Sequence, residues 1–163
     1  MASCLSEPQA PPMGLRWLWL RFDELTREQL YQVLGLRERV FILEQECLYL
    51  DIDGRDAQAH HLLGLDAAAA LVACLRLVAP GHRYPEPSIG RVVTDSAARR
   101  QGYGHALMRE AIRRTEELYP GLPIRMSAQR YLERFYAAHG FVPVGEPYGE
   151  DGIEHREMVR LPR

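Results

Sequence analysis

The chain has 163 residues, of which 47% are hydrophobic and 26% are charged, and its formal net charge at pH 7 is −2. This length and composition suit a globular protein with a single domain and a sizeable core. The nearly balanced charge gives no general attraction to nucleic acid or to an anionic membrane, so any anion-binding site must be local. No apolar run reaches the length of a membrane span.

The first 14 residues are rich in proline near their end and lack the charged and apolar regions of a signal peptide. We therefore expect residues 1–14 to be a disordered leader and residues 15–163 to form one domain. Cys4, Cys47 and Cys74 are widely separated and lack the Cys-x-x-Cys spacing of zinc and redox sites. This pattern predicts reduced thiols in a cytoplasmic protein.

A strand and then a helix are predicted at the start of the domain. Two tryptophans with alternating partners favour a strand over residues 15–22. Thr26 and Gln29 have the spacing of a capping box, which predicts that a helix begins at this point. Apolar residues continue at helical spacing to residue 43, with Gly35 as a candidate break.

The acidic sequence DIDGRD at residues 51–56 resembles a calcium loop only in part. An EF-hand needs a third oxygen ligand before its glycine and a glutamate six residues after it. Here Gly54 follows only two aspartates, so we expect a turn and no metal site. Asp53 and Asp56 are instead candidate contacts for a cationic substrate.

Residues 60–65 and 69–78 have the pattern of a hairpin that turns around Asp66. The second arm is apolar enough to be a central strand with both faces covered. Arg76 lies within this arm, and a buried guanidinium without a partner is costly, so we expect snorkelling or structural pairing. The prolines and glycine of residues 80–88 predict a loop before the next strand.

The stretch RVVTDSAARRQGYGHAL at residues 91–107 combines a strand, a short polar turn and a helix start marked by glycines. A helix start presents unpaired backbone N–H groups and partial positive charge, and glycines let an anion approach that backbone closely. Arg99 and Arg100 add fixed positive charge beside it. The stretch therefore predicts a site for a phosphorylated ligand.

Two common phosphate-binding motifs do not fit this stretch. A P-loop needs a lysine after its last glycine, and the dinucleotide fingerprint needs a third glycine where Leu107 stands. The remaining pattern, Arg99-x-x-Gly102-x-Gly104, resembles the acyl-CoA pyrophosphate signature of the GCN5-related N-acetyltransferase (GNAT) family. This resemblance implies that the pyrophosphate binds these backbone amides and that the pantetheine arm pairs along the preceding strand.

A second phrase, QRYLERFYAAHGF at residues 129–141, ends in a glycine suited to a helix C-terminal cap. It resembles the GNAT phrase Asn-x-x-Ala-x-x-Leu-Tyr followed by Gly-Phe, with Gln129 for asparagine and Leu132 for alanine. The resemblance implies that Tyr136 is the general acid. By pattern alone, a core aromatic residue on an apolar helix face is the better interpretation of Tyr136; the two motifs in the correct order and at the correct distance favour the catalytic role.

Three more segments resemble the ElaA-like branch of the same family, so that the resemblance extends from about residue 15 to the end. They are LRERVFILEQE, the acidic loop before His60 and His61, and GEPYGEDGIEHREM. The implied fold is an α/β acyl-CoA N-acyltransferase fold with a central mixed, mostly antiparallel sheet flanked by helices. The predicted order is strand, helix, three strands, helix, strand, helix and two strands.

The implied reaction is direct transfer of an acetyl group from acetyl-CoA to a primary amine of a small molecule or peptide. An ammonium with a pKa around 10.4 must lose a proton before it attacks, so a base is needed beside the acid Tyr136. Candidates for the base are Glu44, His61 and His155. A backbone N–H on the strand of Val93 is expected to bind the oxyanion. The candidate CoA-binding residues are Val92, Val93, Thr94, Arg99, Arg100, Gln101, Gly102, Tyr103, Gly104 and Gln129.

Two alternatives stay open at this point. One is an acyl-homoserine-lactone synthase, a related fold that is usually longer and uses S-adenosylmethionine; the full glycine motif argues against it. The other is a CoA-binding regulatory or interaction module without catalysis, which would keep both the motif and the fold. The exposed strand ends of such a sheet also permit a homodimer.

Overall fold

The computed structural model describes residues 14–163, so the predicted leader lies, except for Gly14, outside the described residues. The elements follow the predicted order along the chain. The strands are β1 (Arg16–Arg21), β2 (Ala59–Leu65), β3 (Leu71–Val78), β4 (Ser88–Thr94), β5 (Ile124–Gln129), β6 (Val142–Glu150) and β7 (Ile153–Arg160). The helices are α1 (Arg27–Arg37), α2 (Tyr103–Leu118) and α3 (Glu133–Ala137). Within the described residues, none of the helices combines the length and the hydropathy that crossing a membrane requires.

The seven strands form one sheet in the order β1-β2-β3-β4-β5-β7-β6. All neighbouring strands are antiparallel except β4 and β5, which are parallel. In the described part of the chain, β4 and β5 pair at one position, where Ser88 lies opposite Arg125. Beyond this position the facing edges of the two strands are unpaired, which opens the sheet at its centre. The predicted mixed, mostly antiparallel sheet is confirmed.

Helix α1 begins at the predicted capping box. The Gln29 backbone N–H donates to Thr26 Oγ1 at 3.1 Å, and the Thr26 N–H donates to Gln29 Oε1 at 2.9 Å. Gly35 does not end the helix, which continues to Arg37. It then widens into a π-helical segment, Glu38–Glu44, that leads directly into the loop before β2.

The core has two parts, one on each face of the sheet. Alternation along β2 sends Leu62 to the face covered by α2 and α3 and Leu63 to the face covered by α1. The same alternation separates Leu75 from Cys74 on β3. Both faces of the central strands are therefore covered, which explains the continuous apolar sequence of β3.

Buried ion pairs hold the acidic loop of residues 51–56 against the sheet. Arg37, which is 1% exposed, donates from Nη1 to Asp56 Oδ1 at 2.7 Å. Arg76 donates from Nη1 to the same oxygen at 3.0 Å, and its Nη2 lies 2.5 Å from Asp53 Oδ2. Arg76 thus has the structural partners that the sequence predicted. The network joins α1, β3 and the loop into one unit.

These ion pairs change what the acidic loop is able to bind. Burial alone would raise the pKa of Asp53, but the hydrogen bond and charge of Arg76 outweigh it and hold that pKa well below its usual range. Asp56 is 7% exposed and is bound by two guanidinium groups. The interpretation of Asp53 and Asp56 as contacts for a cationic substrate is therefore replaced by a structural role.

Candidate functional site

The opening between β4 and β5 contains a cavity of about 410 Å³. One wall comes from the loop that follows the π-helical segment, and another comes from α3 and the turn before it. The hairpin of β6 and β7 closes a third side with Glu150, Asp151 and His155. The cavity thus lies where the sheet is split, and every wall is fixed by an element of the core.

β4 carries a bulge where it borders this cavity. Cys74 of β3 lies opposite Val93 of β4, and Arg76 lies opposite Gly90. One residue of β3 and two residues of β4 lie between these pairs, so β4 has one extra residue there. Arg91, within the bulge, adopts a φ of +52°, which is uncommon for a residue with a side chain. Because a bulge interrupts the ladder of hydrogen bonds, β4 presents main-chain groups to the cavity at this point.

The side chain of Arg91 is tied to the acidic loop. Its Nε lies 2.7 Å from Asp51 Oδ1, and its guanidinium carbon lies 5.2 Å from the centre of the Tyr49 ring. Both contacts come from the loop that forms the opposite wall of the cavity. They fix the bulge and that wall relative to each other.

Tyr136 belongs to α3 and lies in the wall of the larger cavity. The residue is 5% exposed, and its ring packs edge-on against Phe135 at a centroid distance of 5.0 Å. Burial, with a smaller effect of Tyr131, raises the pKa of the Tyr136 hydroxyl. The phenol is therefore protonated at neutral pH, as a general acid must be.

A second, smaller cavity of about 190 Å³ lies at the start of α2. Gly102 is the N-cap residue and adopts a φ of +77°, in the left-handed region that glycine tolerates best. A Cβ at Gly104 would lie 3.4 Å from the ring of Phe135, which is an ordinary van der Waals distance, so packing does not require glycine there. The free N–H groups of the helix start border this cavity.

The two arginines beside the glycines differ in their pairing. Arg99 binds Glu44 with both terminal nitrogens, one of them at 3.0 Å from Oε2. Arg100 makes no ion pair with any residue in the range 14–163. Glu44 therefore contacts a residue of the smaller cavity, but it is not among the residues that line either cavity.

The three candidate bases occupy different places, and one of them reaches the larger cavity. His61 is 1% exposed and lies against the Asp56 carbonyl oxygen at 3.1 Å, and burial lowers its pKa. His155 lines the cavity, with Nδ1 at 2.9 Å from the Ile153 carbonyl oxygen. A carbonyl oxygen only accepts, so Nδ1 carries the proton and Nε2 of the neutral ring is a free acceptor. Nε2 lies 3.9 Å from Glu150 Oε2.

The predicted CoA-binding residues divide between the two cavities. Val92 and Gln129 line the larger cavity. Val93 is 3% exposed and packs into the core on the α1 side, so only its backbone is available, and Gln101 is exposed and lines neither cavity. The residues that line the smaller cavity are Thr94, Arg99, Arg100, Gly102, Tyr103 and Gly104.

Gln129 has an unused acceptor in the cavity. Its Nε2 donates to Gln45 Oε1 at 2.9 Å. Its own Oε1 is buried and has no hydrogen-bond partner among residues 14–163. A buried acceptor of this kind is costly unless a ligand supplies the donor, such as an amide N–H.

Sequence reasoning missed Ser127, which lines the larger cavity, and Tyr148, which contacts it. Ser127 Oγ and the Tyr148 hydroxyl are hydrogen-bonded, and Ser127 Oγ also lies 3.5 Å from Glu150 Oε2. The Tyr148 ring stacks on His155 at a centroid distance of 6.1 Å. The alternation of buried and partly buried residues along β5 would have placed Ser127 on the same face as Gln129.

Comparison with known proteins gives consistent similarities over nearly the whole chain. The family model described as "Acetyltransferase (GNAT) domain" matches residues 23–161. A UPF0039 protein of Synechocystis is 46% identical over 151 residues, which cover 92% of this chain and 98% of that protein. An acyl-CoA N-acyltransferase from Pseudomonas aeruginosa has a similar crystal structure, with a TM-score of 0.84 and 42% identity over 90% of this chain and 99% of that chain. The crystal structure of Escherichia coli ElaA also has a TM-score of 0.84, with 38% identity over 90% of this chain and 99% of that chain.

Proposed function

The chain belongs to the GNAT acetyltransferase family, in its ElaA-like branch, and we propose that it transfers an acetyl group from acetyl-CoA to a primary amine of a small molecule or peptide. The transfer is direct, with donor and acceptor bound at the same time. The observation that carries this proposal is the pair of cavities along β4. The smaller cavity offers the free amides at the start of α2, and the larger cavity is lined by the buried Tyr136 phenol and by the His155 imidazole.

The smaller cavity suits the diphosphate of the donor. Backbone N–H groups at Gly102, Tyr103 and Gly104 would hold it, since the start of a 16-residue helix favours anions. The unpaired charge of Arg100 adds to this attraction. The pantetheine arm would extend along the open edge of β4, where Gln129 Oε1 offers an acceptor for an amide N–H. The residues present therefore fit the donor.

The larger cavity suits the chemical step. His155 Nε2 would take a proton from the acceptor ammonium, directly or through one water molecule. The amine nitrogen then forms a bond with the acyl carbon while the carbon–sulfur bond breaks. Tyr136 would give its proton to the departing thiolate, and the second proton that leaves the nitrogen on amide formation would restore the phenol. The bulged backbone of β4 would donate to the carbonyl oxygen.

Cys47, which lines the larger cavity, argues for direct transfer. Burial, with a smaller effect of Asp151, raises the pKa of the Cys47 thiol. A thiol with a raised pKa is a poor nucleophile at neutral pH. An acyl-enzyme on Cys47 is therefore disfavoured, and the acceptor amine is the expected nucleophile.

The proposal is tested by measuring thiol release from acetyl-CoA with a panel of primary amines, together with the masses of the products. We expect release of CoA only when an amine is present, with one acetylated amine formed for each CoA. S-adenosylmethionine belongs in the panel because acylation of that substrate alone would favour a lactone synthase. Calorimetric binding of acetyl-CoA without turnover of any amine would favour a module that lacks catalysis and would contradict the proposal.

A further inference from the structure

We propose that the acceptor carries an oxyanion, a carboxylate or a phosphate, in addition to its primary amine, and that Arg83 binds this group. The inference rests on the function proposed above and adds the chemical class of the acceptor. It comes from the charges that line the larger cavity and from the partners that each of them has.

Three arginines line the larger cavity, and their pairing differs. Arg91 lies 2.7 Å from Asp51, and Arg55 lies 3.3 Å from Asp53. Arg83 has neither a hydrogen bond nor an ion pair with a side chain in the part of the chain that the structure describes. Its guanidinium carbon instead lies 5.2 Å from the centre of the Tyr84 ring. A ring holds the guanidinium in place but does not neutralise its charge. Arg83 is thus an unmatched positive charge in the cavity wall.

Among the described residues, two carboxylates of the cavity, Glu150 and Asp151, have no arginine partner, and they lie on the side of the candidate base. Glu150 makes its ion-pair contact with His155, at 3.9 Å, and Asp151 makes none with the described residues. These two acids would attract the ammonium of an acceptor toward His155. An acceptor with only an amine would leave the Arg83 charge unpaired. An acceptor that also has an oxyanion would place its ammonium near the carboxylates and its oxyanion against Arg83.

Arg83 and His155 line the same cavity, which has a volume of about 410 Å³. The oxyanion subsite therefore lies within the cavity in which the amine would be deprotonated. This favours a short acceptor, with a few bonds between its amine and its acidic group.

The diphosphate of the donor does not explain Arg83. The glycine-marked helix start follows β4, whereas Arg83 precedes Ser88, the first residue of β4. The strand between them spans roughly 20 Å at about 3.3 Å per residue. Arg83 and the predicted diphosphate site thus lie at opposite ends of β4, and Arg83 remains available for the acceptor.

The test compares acceptors that differ only in the acidic group. The pairs are 5-aminopentanoate with pentylamine and O-phosphoethanolamine with ethanolamine, and aminocarboxylates of two to six carbons define the length. A charge-assisted contact predicts a kcat/KM about ten- to a hundred-fold higher for the member with the oxyanion. The two pairs distinguish a carboxylate from a phosphate as the preferred group. Equal kcat/KM values within both pairs would overturn the inference and leave the proposed function standing.

Two variants assign the preference to Arg83. Arg83→Gln should lower kcat/KM for the preferred acceptor to the level of its uncharged partner, and Arg83→Glu should favour the diamine cadaverine over 5-aminopentanoate. Arg27→Gln, at an exposed position on α1, is the matched control and should keep the wild-type preference. A preference that survives in Arg83→Gln would overturn the role of this residue. Failure to acetylate any amine would instead overturn the proposed function and this inference with it.

Discussion

At the scale of single residues, the proposed reaction depends on one phenol and one imidazole in the same cavity. Tyr136 reaches it from α3, and His155 reaches it from β7. Burial raises the pKa of the phenol, so the phenol holds a proton to donate. The contact of Nδ1 with the Ile153 carbonyl oxygen leaves Nε2 of the imidazole as the nitrogen that would accept a proton in the proposed reaction.

Replacing Tyr136 by phenylalanine removes the acid and keeps the packed ring. We expect kcat to fall by about 10²-fold, since a positioned proton donor has this order of effect. The dissociation constant of CoA, measured by calorimetry, should be unchanged. Tyr31→Phe is the matched control, because Tyr31 lies on α1 and is 82% exposed, and it should keep the wild-type kcat. An unchanged kcat in Tyr136→Phe would remove this residue from the mechanism.

The Arg99–Glu44 ion pair makes a second residue-scale prediction. Glu44→Gln would free the guanidinium of Arg99 for the donor diphosphate. The expected gain is an about two- to five-fold lower dissociation constant for CoA, the range of an exposed ion pair. Glu38→Gln removes the same charge from an exposed position nearby and serves as the control. Equal CoA affinity in both variants would show that Arg99 does not contact the donor.

At the scale of elements, the proposed donor site lies at the start of α2. We expect Gly102→Glu to abolish CoA binding, since it places a bulky negative charge beside the diphosphate. Gly121→Glu is a matched control: both glycines adopt a φ of +77°, and a Cβ at either would meet no atom within 4 Å. The backbone strain is therefore similar in the two variants. Calorimetry with CoA should detect binding in the control only, and binding in a folded Gly102→Glu variant would contradict the site.

The contact between α2 and the end of α3 predicts a pH dependence of stability. His105 Nδ1 lies 2.9 Å from His139 Nε2, and burial, followed by the charges of His105, Arg109 and Arg160, lowers the pKa of His139 to about 4. Between about 6.5, the ordinary value, and 4, the unfolded chain binds more protons at this position than the folded chain. The free energy of unfolding should therefore fall as the pH drops through this window.

Urea unfolding at a series of pH values measures this effect. His139→Gln should give a shallower fall between pH 6.5 and 4 than the wild type. The free energy of unfolding of this variant should still fall somewhat with pH, because burial also lowers the pKa of His60 and His61. Asp53 and Asp56 have lowered pKa values, so their protonation changes the free energy of unfolding only below about pH 4. Identical slopes in His139→Gln and the wild type would contradict the assignment.

Elements with a local signal could be predicted from the sequence, and contacts between distant residues could not. The capping box at Thr26 and the glycine pattern at Gly102 depend on neighbours in the chain, and both have the predicted role in the helix start. The π-helical segment has no comparable signal. Arg83 was missed because its place in the cavity wall depends on how the loop before β4 folds. The pairing of Asp56 with Arg37 and Arg76 likewise depends on tertiary contacts.

At the scale of the whole molecule, the split sheet makes the cavity and the ion-pair network holds it open. β4 and β5 meet at Ser88 and Arg125 and then diverge, so each strand offers an unpaired edge to a ligand. Arg91 connects the bulge of β4 to the acidic loop, and Arg37 connects that loop to α1. The two walls of the cavity are thus built on the core and do not depend on flexible loops alone.

The central claim is that the donor lies along β4 with its diphosphate on the amides at the start of α2. Hydrogen-exchange mass spectrometry with and without CoA tests it most directly, since amides that bind phosphate exchange more slowly. We predict slower exchange at short times in residues 90–94 and 99–106, with no change in the edge strand β1. Exchange that is unaffected in residues 99–106 while CoA is bound would contradict the account.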